Sequence, residues 1–145
     1  MEDLWKALWL KLSTDPTLII MTKYTTTTKT IKRSNTTSEI IFNNTTGVTR
    51  AVTFGEWSDV RNTRSGNEGL RDITFMVVCW SKYNDLQCVQ LKDYLITLLD
   101  EVNLTNSDLH NAYSEYDDYS SPPYYEDTEK AWRIDLRFRF ICKLL

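Results

Sequence analysis

The spacing of apolar residues changes several times along the chain, and each change predicts an element. Leu4, Trp5, Leu8, Trp9 and Leu12 recur at three- and four-residue intervals, with Glu2, Asp3, Lys6 and Lys11 outside the stripe. That spacing predicts a short amphipathic helix over 2–12. Asp15-Pro16 ends it, because the residue before a proline is pushed out of the helical region. From Arg71 to Val102 the chain reads as strand, turn and helix. Ile73, Phe75, Val77, Cys79 and Trp80, with Met76 and Val78 between them, place apolar side chains on both parities, as in a central strand covered on both faces. Asn84 or Asp85 can cap the next helix, whose stripe is Cys88, Leu91, Leu95, Leu98, Leu99 and Val102. Residues 131–142 alternate strictly: Trp132, Ile134, Leu136, Phe138, Phe140 and Cys142 on one parity, Arg133, Asp135, Arg137 and Arg139 on the other. Such a strand has one face in a core and one face wet or at an interface. The arginines can meet acids of a neighbouring strand or of a neighbouring subunit.

Two other stretches lack these rhythms. Leu18 to Met21 is apolar, a Thr-rich run extends from Tyr24 to Thr30, Arg33-Ser34-Asn35 breaks it, and Glu39 to Phe42 resumes. Threonine suits solvated strands, so 18–49 is expected to hold a β-hairpin arm with its turn near 33–38. The arm is too polar to bury, and Tyr24, Thr26, Thr28 and Lys32 become candidates for contact with another chain. Trp5 and Trp9 join them, since two tryptophans on one short stripe need a large partner surface, which is either the sheet or a neighbouring subunit. Asn43 to Gly47 reads as a turn and Arg50 to Trp57 as a strand. Asp59 to Gly69, with Arg61, Arg64, Gly66 and Gly69, reads as a connecting loop, and 103–107 as a turn. Leu109 to Tyr116 can form another strand. Within 113–129, five tyrosines interleave with Glu115, Asp117, Asp118, Glu126, Asp127 and Glu129 around Ser120-Ser121-Pro122-Pro123. The prolines exclude a helix or a continuous ladder there, which predicts a locally negative, Tyr-rich loop.

Composition narrows the function. A chain of 145 residues with 41% apolar and 12% aromatic content fits a single folded domain. A net charge of −3 and a pI near 5.2 give no global attraction to phosphates or to anionic membranes. No apolar run approaches the ~20 residues of a membrane helix, and acidic residues precede the first hydrophobic positions, unlike a secretion signal. Three cysteines, at 79, 88 and 142, sit within apolar patterns and read as reduced core residues. The lone His110 lacks partners at zinc-ligand spacing, and no nucleophile elbow is present. The acids of 115–129 lack the spacing and glycine of a calcium loop. The glycines of 59–69 are not followed by a phosphate-loop lysine. No catalytic set, cofactor site or metal site is expected.

Several phrases taken together resemble a family. They are Lys11 to Leu18 after the first helix, the strand entering Phe54-Gly55-Glu56, Arg71 to Ser81 leading directly into a helix, and Trp132 to Phe140. Over 11–20, 50–101 and 130–142 the chain resembles the tail-terminator, or tail-completion, proteins of long-tailed bacteriophages, with 21–49 and 103–130 looking like insertions. The resemblance implies a single α+β domain, an antiparallel or mixed sheet of about four to five strands with two main helices on it, in a non-enzymatic virion protein assembled in the host cytoplasm as a homohexameric ring at the head-proximal end of the tail. Its implied partners are copies of itself, the tail-tube protein and a neck or head-completion protein. DNA would pass through the ring without sequence-specific binding, and no membrane is involved. A ring needs two unlike faces per subunit, for which Trp5, Trp9, the Thr-rich arm with Lys32, and Arg133, Arg137 and Arg139 are candidates. Glu115, Asp117, Asp118, Glu126 and Asp127 would rim the channel, where negative charge repels phosphates, or dock ionically to a neck protein. Neutralising Asp117, Asp118, Glu126 and Asp127 is then expected to leave assembly intact. Other readings stay open: a head-completion or stopper protein, a cellular adaptor that binds through its β arm, or an enzyme with an acidic active-site loop.

Overall fold

The structure of the chain is a computed structural model that describes residues 2–34, 36–61, 70–104 and 110–143. Within these, helices α1 (Glu2–Ser13) and α2 (Pro16–Thr22) precede strands β1 (Ile31–Arg33), β2 (Arg50–Arg61) and β3 (Leu70–Ser81). Helix α3 (Asp85–Leu99) leads to β4 (Val102–Leu104), β5 (His110–Ser120), β6 (Tyr124–Glu126) and β7 (Ala131–Lys143). The strands form one mixed sheet in the order β1-β2-β3-β7-β5-β4, with β6 also paired to β7. All neighbours are antiparallel except β1 and β2, which run parallel. The α+β expectation holds, with more strands than expected and a third helix.

The core follows the predicted stripes. Leu4, Trp5, Leu8 and Leu12 of α1 and Cys88, Leu91, Leu95 and Leu99 of α3 meet Val52 and Phe54 of β2, Ile73, Phe75, Val77 and Cys79 of β3, and Ile134, Leu136, Phe138 and Phe140 of β7. Aromatic stacking centres it: Phe75 and Phe140 lie 3.9 Å apart between ring centroids, and Trp5 touches Phe54, Phe75 and Phe140 at 6.1–6.3 Å. Burial of this kind contributes ~1.5–3 kcal/mol per large side chain. The sheet curls around α1, which contacts β1 at one margin and β4 at the other. Central strand β3 is covered on its second face too, at one end, where Val78 and Trp80 pack with Ile40, Ala51 and Ala131. The Trp80 indole N–H donates to Thr53 Oγ1 at 2.8 Å, which satisfies its polar edge.

Two predicted segments fold differently. The expected β-hairpin arm of 18–49 is absent. Asp15-Pro16 ends α1 and also starts α2: the Asp15 side chain accepts from the Leu18 N–H at 3.0 Å, and Pro16 sits where a missing N–H costs nothing. Lys23, in the left-handed region at φ 54°, closes α2. The threonines then make a turn, with Thr25 N–H donating to Thr28 Oγ1 at 2.8 Å and Thr28 N–H to Thr25 Oγ1 at 3.0 Å. Hydroxyls that bond neighbouring backbone compete with a strand ladder, so only Ile31–Arg33 pairs, with β2. The turn at Asn43–Gly47 is present, closed by an Asn43–Val48 bridge, and Gly47 supplies the positive φ of 77° that it needs.

The second departure is the predicted Tyr-rich loop of 113–129. It is strand on both sides of a proline break: β5 and β6 both pair with β7, and Ser121 to Pro123 interrupts them. Asp118 at φ 49° lies in a register shift between Tyr116 and Tyr119, a bulge that admits the extra residues. The expected loop at 59–69 begins later than read, since β2 runs to Arg61; Arg64, Gly66 and Gly69 lie outside the described residues. The expected turn at 103–107 starts instead with β4, and its remainder also lies outside them.

Candidate assembly surfaces

The candidate contact residues near the N-terminus do not all share a surface. Trp5 is 3% exposed and belongs to the core, whereas Trp9, one turn later at the margin of the α1 stripe, is 38% exposed. Trp9 lines a concavity of about 500 Å3 together with Tyr24, Thr26 and Lys32, so four of the predicted residues converge. Ile31 lies there as well, and Lys29, Arg33 and Glu39 supply the remaining charges. Lys32 is ion-paired to Glu39, whose carboxyl that contact holds below its usual range. The Arg33 guanidinium lies over the Trp5 ring, 4.7 Å from its centroid. The site is therefore an aromatic groove with a cationic rim, built where α1 meets margin strand β1. Thr28 is engaged in the Thr25–Thr28 turn.

The arginine face of β7 and the acids of β5 and β6 find each other. Arg133 donates through Nε and Nη2 to Asp135 Oδ1 at 2.8 and 2.6 Å, and its Nη1 lies 3.7 Å from Glu126. Its guanidinium also sits over the Trp80 ring at 4.7 Å and the Tyr124 ring at 5.4 Å. Tyr124 donates to Asp135 Oδ2 at 2.8 Å. Burial and that hydrogen bond push the Tyr124 hydroxyl up to about 12. Arg137 donates to Asp117 at 2.7 Å and lies over Tyr119, and Arg139 is 3.6 Å from Glu115. Three of the five predicted channel or docking acids are therefore counter-ions within the subunit. Asp118 and Asp127 are exposed, with no ion pair among the described residues. A single sequence shows two alternating patterns here but not the register that joins them.

A second concavity, about 420 Å3, lies between the end of α2, the turn at Gly47 and the start of α3. Lys23, Arg50, Thr49, Tyr83 and Gln87 line it, and Arg50 Nε is buried there without a hydrogen-bond partner. Cys79 and Cys88 are free and buried, and burial raises both thiols, that of Cys88 to about 12. Thiols held protonated in this way are core residues and not nucleophiles. The side chains of His110 and Cys142 lie outside the described ones. Among the described residues, no group of three or more His, Cys, Asp and Glu is placed to hold a metal ion.

No protein-family model matches the sequence, and no curated protein matches it. Among solved structures, the fold is similar to a chain described as "Virion of native gene transfer agent (GTA) particle", with a TM-score of 0.71 and 14% identity. The similarity covers 98% of this chain and 96% of that one, so the two share a fold from end to end.

Proposed function

We propose that this protein is a structural component of a phage-like virion, acting as a tail terminator. In this reading it forms a ring, expected to be hexameric, on the head-proximal end of the tail tube. The ring stops tube growth and joins the tail to the neck, with DNA passing through its channel. The observation that carries the proposal is the end-to-end likeness to a gene transfer agent virion chain, whose 98% coverage leaves no room to exclude the segments 21–49 and 103–130 read from sequence as insertions. The surface chemistry supports it. Clustered carboxylates at Glu115, Asp117 and Glu126 face arginines of the same subunit, and the accessible features are an aromatic groove and exposed acids. Such surfaces suit assembly, where no bond is made or broken.

The test is whether the purified protein caps tail tubes. Added to growing tubes of its cognate tail-tube protein, it should halt elongation and appear by negative stain as a ring on one end. A stopper would bind the portal-side adaptor and leave tube growth unchanged, which would replace this reading. Failure to bind either component would end it.

A further inference from the structure

The two margins of the curled sheet carry opposite charge on either side of α1. At the β1 margin, Lys29, Lys32 and Arg33 line the Trp9–Tyr24 groove, and Glu39 is the one carboxylate among the described residues that line it. At the other margin β4 pairs with the start of β5, and the acids gather. Asp100 accepts from the Tyr116 backbone N–H at 2.9 Å, which fixes it beside β5. Glu101, exposed at φ 53°, leads into β4, and Asp118 is exposed on the β5 bulge. Asp100, Glu101 and Glu115 lie close enough to Tyr113 that, after burial, their charges raise its hydroxyl. Among the described residues, Glu101 and Asp118 have no cation.

We infer that these margins are the two halves of one head-to-tail contact: the acidic β4–β5 margin of one copy seats in the cationic aromatic groove at β1 of the next copy. The occupant is a second copy of this chain, because the chain carries its own complement on an unlike surface. Unlike surfaces joined by one rotation close into rings. Opposite charge fixes the register of such a contact, and like charge placed across it is strongly unfavourable. The inference rests on the ring reading and adds the identity of the surfaces.

A charge-reversal exchange tests it. One variant carries Lys29→Glu and Lys32→Glu, the other Glu101→Lys and Asp118→Lys. Lysine already occupies left-handed positions at 23, 29 and 130, so the backbone accepts it at 101 and 118. Thermal melts establish that each variant folds. Self-association is read by native mass and negative stain, alone and on tail tubes. Each variant alone should associate roughly tenfold or more weakly than the parent, since its reversed margin meets a like charge. An equimolar mixture should recover rings of alternating subunits, and a chain carrying all four substitutions should recover them unaided. Rings from either single-margin variant at parental strength would overturn the pairing and leave the ring reading intact. A parent that forms no ring, alone or on tubes, would overturn both.

Discussion

At the scale of single residues, neighbouring side chains of the same type do opposite work. Trp5 and Trp9 lie one helical turn apart, yet one is wedged among Phe54, Phe75 and Phe140 and the other lines an open groove. Trp5→Ala should cost ~3–5 kcal/mol by leaving a cavity, whereas Trp9→Ala should stay within ~0.5 kcal/mol; urea titration separates them. Tyr124 gives a pH signature. Its folded hydroxyl, at about 12, exceeds the ~10 of an unfolded tyrosine. The protonated form is therefore favoured by folding: its contribution is whole below pH ~10 and is lost as pH rises from there toward about 12. Buried Cys88, also at about 12, adds an alkaline loss that begins lower, at the ~8.5 of an unfolded thiol, and runs through the tyrosine window. Melting temperature plotted from neutral pH upward should fall in this window. Tyr124→Phe should flatten part of the fall, isolating the tyrosine from the thiol, and an unchanged slope would refute its role.

Among the elements, legibility in the sequence tracks how local the deciding interaction is. The stripe of α1, the capped start of α3 and the alternation of β7 are set by residues a few positions apart and are present, although α3 ends at Leu99 and Val102, read as the last residue of its stripe, begins β4 instead. Asn84 caps α3 as expected, accepting from the Gln87 N–H at 3.0 Å. Asn84→Ala should cost ~1 kcal/mol, seen as a lower melting temperature. Helix α2 escaped notice because Asp15-Pro16 stops one helix and starts another, and only the stop is obvious from the pattern before it. The β5–β7 pairing escaped because its register passes through a bulge and a proline break that no local pattern announces. That changes the expectation for the acids. Asp117→Asn and Glu126→Gln should weaken the hairpin, by ~0.5–1 kcal/mol per lost ion pair. Asp118→Asn and Asp127→Asn should leave melting unchanged. A double-mutant cycle between Asp117 and Arg137 would measure the coupling directly. The groove was half legible: its aromatics and Lys32 could be named, but their convergence depends on β1 pairing parallel to β2.

For the molecule as a whole, one sheet order governs both the core and the surfaces left outward. Strand β7 lies between β3 and β5 and pairs with β6 as well, so its ladders hold β2 and β3 to β5 and β6, while its arginines pair with acids of the same subunit. The surfaces left outward are unlike at the two margins, as a head-to-tail subunit requires. The placement of β7 also bears on how the protein is made. Ribosomes deliver β3, ending at Ser81, well before β7, starting at Ala131, so the nascent chain carries an apolar strand with one side open. Interrupted translation anywhere in that interval should yield fragments that chaperones and proteases clear, and not folded subunits.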